Sequence, residues 1–318
     1  MKPDRKLRIQ GRSGLLAAFV MLALVPCAAA AQDDDAAPAL PQVAAGEAPE
    51  GSVGGMGDIN LYPKRIVIDQ RQRIATIGLY NRTISPGEYE ISIVDMVMAP
   101  SGEVFPLDNL PPGVPTDRLR AASEFLRWSP RRVQLLGSEA QTVRIMARLP
   151  ADLPAGEYRA HFMAVSVPQD VDDGFSIDDA VAGGSSTGSD IGVTIRPRFG
   201  ISIPVIVRVG ETTLDVSLEQ AGFVQTPEGL AIAVTIARTG TRSAFGDLIV
   251  SAPGSQQPVA IARGIGVYPE IDSRQVLLGI DSRFDTSLLQ PGTILTARFI
   301  DDDSAPGETL ASTTFTVP

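Results

Sequence analysis

The sequence predicts an all-β protein built from two antiparallel β-sandwich domains. Short runs of apolar residues recur at every second position, the period of a half-buried strand. Turn chemistry separates the runs, with Gly 30 and Pro 25 spread through 318 residues. Between residues 58 and 167 nothing sustains the 3.6-residue period of an amphipathic helix. The length itself suits about two domains.

Residues 1–31 read as a signal peptide. Lys2, Arg5, Lys6, Arg8 and Arg12 form a basic start, and Gly14 to Val25 is an apolar run too short to span a bilayer comfortably. Ala28 to Ala31 supply the small residues that a signal peptidase needs, so cleavage is expected near Ala31–Gln32. The only cysteine, Cys27, leaves with that segment, and the mature chain then has no thiol or disulfide. Lipidation at Cys27 is disfavoured by Pro26 directly before it. Residues 32–57, rich in Ala, Pro, Gly and Asp, read as a disordered linker.

Strand patterns begin at Asp58. Ile59 to Ile68 is broken by Pro63, Arg73 to Tyr80 stops at Asn81, and Glu88 to Met98 places Tyr89, Ile91 and Ile93 on one face. Thr142–Leu149 and Tyr158–Val167 follow, divided by turns such as Ser85-Pro86-Gly87 and Leu136-Gly137-Ser138. Residues 169–190 are acidic, then Gly/Ser-rich, and read as a mobile loop. A first domain therefore spans 58–208. A second, over 211–318, has strand runs at Thr213–Leu218, Leu230–Arg238, Gly246–Ser251, Gln257–Ile265, Gln275–Leu278, Thr293–Ile300 and Ser312–Val317.

The residue inventory argues against an enzyme. His161 is the only histidine and lies in an alternating strand, where a satisfied hydrogen bond is the expected role. No mature cysteine is left for a structural zinc site. The acidic groups Asp33–Asp35, Asp172–Asp173, Asp178–Asp179 and Asp301–Asp303 lack the spacing of a calcium loop and read as solvated charge. No metal or cofactor is expected. The net charge of −10 leaves nothing to neutralise phosphates, so nucleic acid is not an expected partner. Trp128, the only tryptophan, is expected to pack in a core or at a sheet edge.

The stretch Ile191–Val207 is the most regular in the chain. Ile191, Val193, Ile195, Phe199, Ile201, Ile203, Val205 and Val207 are apolar at every second position, with Pro197 the one interruption of that row. The run is longer than a usual strand of about 5–6 residues. An apolar row of that length, directly after a mobile loop, has the form of a strand offered to a partner.

The order of motifs through the first domain resembles the PapD-like periplasmic pilus chaperones of the chaperone-usher pathway, as an atypical member. It comprises Tyr62-Pro63-Lys64-Arg65-Ile66, Leu79-Tyr80-Asn81, Trp128-Ser129-Pro130, Gln141-Thr142-Val143-Arg144-Ile145, Glu157-Tyr158-Arg159 and Val165-Ser166-Val167-Pro168. The match covers about Asp58 to Arg208. Gly264-Ile265-Gly266-Val267-Tyr268-Pro269 and Leu289-Gln290-Pro291-Gly292 extend it into the second domain.

The resemblance implies two immunoglobulin-like domains in a boomerang arrangement and a periplasmic, non-enzymatic chaperone. Such a chaperone lends its last N-domain strand to an incomplete subunit. Ile191, Val193, Ile195, Phe199, Ile201 and Ile203 would be the subunit-binding residues of that donor strand. Secreted pilin or fimbrial subunits and an outer-membrane usher would be the partners, and the apolar edge invites a self-dimer. Arg65 falls on the arginine that anchors a subunit's C-terminal carboxylate. The partner lysine of that anchor is missing, with Pro204 at its position, so either Arg196, Arg198 or Arg208 substitutes or the terminus is gripped differently. The alternative is a secreted structural or adhesive protein with immunoglobulin-like domains, which would share the signal peptide, acidity and strands without needing a long apolar edge.

Overall fold

The computed structural model describes residues 48–49, 52–54, 57–168 and 198–318, and these fall in one compact unit. The expected signal peptide, most of the expected linker, the 169–190 loop and the stretch from Ile191 to Pro197 lie outside the described residues.

The described chain is all-β apart from two short 3-10 turns, at Ser123–Phe125 and Thr286–Leu288. In chain order the first part holds β1 (Val53–Gly54), β2 (Ile59–Tyr62), β3 (Ile66–Ile68), β4 (Ile74–Asn81), β5 (Gly87–Val94), β6 (Met96–Met98), β7 (Val104–Pro106), β8 (Leu126–Ser129), β9 (Arg132–Leu135), β10 (Ala140–Ala147), β11 (Gly156–Val167) and β12 (Gly200–Val209). The second part holds β13 (Leu214–Thr226), β14 (Gly229–Gly240), β15 (Ala244–Ser251), β16 (Ala260–Val267), β17 (Ser273–Gly279), β18 (Ile294–Asp301) and β19 (Thr309–Thr316).

The first sandwich stacks a sheet of order β1-β2-β4-β10-β8 on one of order β3-β12-β11-β5-β9, with β6 and β7 as a separate hairpin. Two strand segments are each divided between the two sheets. The switch from β2 to β3 falls at Pro63 and that from β8 to β9 at Pro130, and both X-Pro bonds are cis. A proline has no N–H to give to a ladder, so a strand containing one is readily divided between two sheets at that point. Val53–Gly54 was expected in a disordered linker. It instead pairs with Leu61 and Asn60, covering part of the β2 edge.

The second sandwich pairs β13-β14-β17 with β16-β15-β18-β19. Relative to a constant-type immunoglobulin sandwich, its fourth strand has joined the other sheet. Leu61, Ile68, Ile77, Phe162 and Val207 are among the fully buried residues of the first core, and Ile232, Leu248, Leu295 and Phe299 among those of the second. Trp128 packs against the first core, with Nε1 donating to the Ile91 carbonyl at 3.0 Å and Arg131 over its ring.

Candidate functional site

β12 is the strand on which the sequence reading converged, and its two side-chain rows have different surroundings. The odd row faces the first core. Ile203, Val205, Val207 and Val209 are buried there, and Ile201 packs partly against it. Phe199, just before the strand, is 41% exposed. Ile203, expected to bind a subunit, has no exposed surface and belongs to its own sandwich, so it is withdrawn from that role. Ile191, Val193 and Ile195 lie outside the described residues. The strand also runs two residues past the expected end, to Val209.

The main chain of β12 alternates as well. β12 pairs antiparallel with β11 from Gly200 opposite Val165 to Val209 opposite Gly156. Ser166 donates its N–H to the Phe199 carbonyl at 2.8 Å, so the odd residues bond to β11 and the even residues turn their N–H and C=O away from it. At Val205–Val207 that far side is taken by β3, in parallel. From Gly200 to Ile203 no described strand occupies it. The open edge therefore offers the N–H and C=O of Gly200 and Ser202, while the Pro204 C=O, by the Val205–Ile66 register, accepts from β3. The N–H that proline lacks belongs to the outward row, so pairing with β11 loses nothing at Pro204.

The opposite rows of β11 and β12 face the second sandwich. β11 is buried on both faces over most of its length. Tyr158, Ala160, Phe162 and Ala164 enter the first core, while Arg159 and His161 point the other way. Arg159 pairs with Glu270, donates to the Met96 carbonyl at 2.7 Å, and lies 3.7 Å from the Tyr268 ring centroid. Glu270 also accepts from the Met98 N–H at 2.9 Å. On β12, Ile206 joins the second core beside Met98. His161 departs from the expected role. It is 4% exposed, its Nδ1 has no partner among the described residues, and it stands edge-on to Tyr268. Burial, reinforced by the Arg159 charge, holds its pKa well below the ordinary value.

A second charged cluster gathers around Asp303. Asp301, 2% exposed, accepts from the N–H groups of Asp303, Ser304 and Ala305 at 3.1, 3.2 and 2.8 Å and so shapes the loop. The Asp303 carboxylate then meets Arg208 directly, with Arg65 and Arg242 each at 3.4 Å. Arg208 also binds Glu157 at 3.2 Å, and Glu157 accepts from the Ser243 N–H at 3.1 Å. Arg65 donates to Ser243 Oγ at 2.9 Å and lies 4.6 Å from the Phe245 ring centroid. Burial pushes the Asp303 carboxyl up, but Arg65, Arg208 and Arg242 outweigh it and leave the carboxyl below its ordinary value. Burial likewise opposes the charge of Arg208, and its bonds to Asp303 and Glu157 more than offset that.

Three expectations meet this cluster. Asp301 and the side chain of Asp303, read as solvated loop charge, are buried, because one builds the loop and the other is neutralised by three guanidiniums. Arg65 and Arg208 do come together, on a carboxylate of their own chain. Arg198 does not join them; it is exposed, bonded to the Ser166 carbonyl at 3.1 Å and to Glu90 at 3.3 Å. Sequence reasoning missed Glu157, Arg159, Arg242, Ser243, Glu270 and Asp303. The available signal was a cation at Arg159 within a strand otherwise apolar enough to be buried on both faces.

No family model matches the sequence, and no curated protein matches it. Solved structures do align along most of the chain. The YadV chaperone is 11% identical, with 82% of this chain and 100% of that one covered and a TM-score of 0.38. The CupB2 chaperone of Pseudomonas aeruginosa is 12% identical, with 80% and 96% covered and a TM-score of 0.38. The Salmonella enterica SafA pilin in complex with the SafB chaperone gives 14% identity, 83% and 98% coverage and a TM-score of 0.39.

Proposed function

We propose that the chain is a non-enzymatic periplasmic chaperone that caps secreted pilus or fimbria subunits and passes them to an outer-membrane usher. The observation that carries this reading is the open half of β12, Gly200–Ile203, with outward main-chain groups and the exposed Phe199 at its start. A subunit lacking one strand exposes a sheet edge and part of its core. Docked on β12, it gains main-chain hydrogen bonds, and apolar side chains at alternate positions set its register. Each fully buried anchor contributes about 1.5–3 kcal/mol. Arg65, with Arg208 in place of the missing lysine, would hold the subunit's C-terminal carboxylate, and Asp303 is the group which that carboxylate displaces.

The test is co-expression with a secreted β-rich subunit encoded beside this chain, followed by isolation of a one-to-one complex. Polar replacement of Ile195, Phe199 and Ile201 together is expected to abolish the complex; its survival would sink the strand-donation reading. Arg65→Ala asks separately about the carboxylate, and unchanged affinity removes that role. In the free protein the same edge can pair two copies. A sedimentation measurement that finds only monomer across micromolar concentrations excludes the self-dimer.

A further inference from the structure

A second charged cleft lies on the other flank of the contact between the sandwiches. The segment ending at Ala122 pairs with β11 at Arg159, on the side opposite β12, through the Arg159 N–H to Arg120 carbonyl bond of 2.8 Å and the Ala121–Arg159 bridge. Beside it opens a cleft of about 480 Å³, lined from the first sandwich by Arg118, Arg120 and Glu157 and from the second by Arg238, Thr241 and Asp272. A strand docked on the open edge of β12 would not cover it.

The lining carries three arginines and three acids, but the acids are engaged elsewhere or exposed. Asp272 is held by Arg118 at 2.6 Å, and Glu157 is committed to Arg208 and the Ser243 N–H. Asp117, the remaining acid in the lining, is exposed. Arg120 and Arg238 have no carboxylate within 4 Å among the described residues. Arg120 donates to the Ala155 carbonyl at 2.8 Å and lies over the Tyr158 ring, and Arg238 donates to the Gly240 carbonyl. Arg238 is 4% exposed, and its Nε–H has no acceptor among the described residues. Buried charge is ordinarily paired, because removing it from water is costly. Burial pushes the Arg238 pKa down, and the charges of Glu157, Asp272 and Glu270 offset this only in part.

We propose that this cleft is an oxyanion-binding site, with Arg238 as its buried donor and Arg120 closing on the ligand from the first sandwich. An unpaired guanidinium Nε–H suits an oxygen of a carboxylate or phosphate. The ligand's source is either a free inorganic oxyanion or an acidic side chain or C-terminus of a bound partner. The inference stands apart from the chaperone reading, because the free protein suffices to test it.

The experiment is calorimetric titration of the purified chain with inorganic phosphate at fixed ionic strength, with chloride as the control. Saturable binding of phosphate is expected, weakened about tenfold in Arg120→Gln by loss of one charge-assisted hydrogen bond. Arg238→Lys, which keeps the charge but loses the fork, is expected to weaken it similarly. Arg120 is exposed, so its variant stays informative if the change at Arg238 prevents folding. No saturable binding by the wild type, or unaltered affinity in folded Arg120→Gln, overturns the site. A synthetic peptide ending in two aspartates distinguishes the sources. Binding that phosphate competes away indicates a partner's carboxylate, and phosphate binding without peptide binding indicates a free oxyanion.

Discussion

The two halves of β12 share one apolar row and differ in almost everything around it. From Val205 to Val209 the strand first lies between β3 and β11. Its inner row fills one core, and on its outer row Ile206 enters a second core and Arg208 enters the Asp303 cluster. From Gly200 to Ile203 it has β11 on one side, and no strand among the described residues pairs with the other. The odd row alone cannot distinguish these halves, since it is apolar through both. The neighbours decide which half is enclosed on both sides.

The sharpest way to break the comparison is to attack the enclosed half. Arg208→Ala leaves Asp303 and Glu157 without their shared guanidinium in a site where both side chains are nearly inaccessible. A loss of about 3–5 kcal/mol is expected in urea unfolding. Glu270→Ala, which strands Arg159 in the neighbouring cluster, should cost a similar amount. If either variant unfolds at the wild-type midpoint, these clusters do not hold the sandwiches together. Ile206→Ala is expected to follow, at about 2–5 kcal/mol, because its side chain is fully buried in the second core.

A pH scan reads the same contact without mutation. His161 has its folded pKa depressed well below the 6.5 of the unfolded chain. The unfolded state therefore binds more protons, and stability rises with pH wherever only that state is charged. The contribution is complete above about pH 6.5 and declines as pH falls below it, by up to about 1.4 kcal/mol per pH unit. His161→Gln is expected to flatten the decline between about pH 6.5 and 5, before the carboxylates titrate. An unchanged slope in that variant would place the sensitivity elsewhere.

The sheets were legible because their signal is local. Alternation at Tyr89–Ile93, Val143–Ala147 and Leu230–Arg238 needs only neighbours in sequence, and the matching strands form there. β8 and β9 were seen only as a motif around Trp128, since four-residue strands leave too few positions for a period. The charged contacts were largely illegible. Asp301–Asp303 looks like any acidic loop until a strand from the other sandwich brings Arg65 and Arg208 against it. Arg65 was found only through a resemblance, and that resemblance did not reveal that its carboxylate partner is internal.

The open half of β12 should yield the smallest stability changes, and that makes it the most discriminating. Phe199→Ser alters an exposed side chain outside the strand and is expected to move the unfolding free energy by no more than about 0.5 kcal/mol. Ser202→Pro deletes one outward N–H, and its pairing with β11 opposite Met163 does not use that group. Both variants should melt like the wild type yet capture less subunit, as read by co-purification at equal expression. The two act differently, one through an apolar anchor and the other through the main chain. Loss of capture in Ser202→Pro alone would mean that the edge pairs without using Phe199. Loss in Phe199→Ser alone would mean that a side chain is recognised without strand addition. Full capture by both variants would leave Gly200–Ile203 as an ordinary sheet edge.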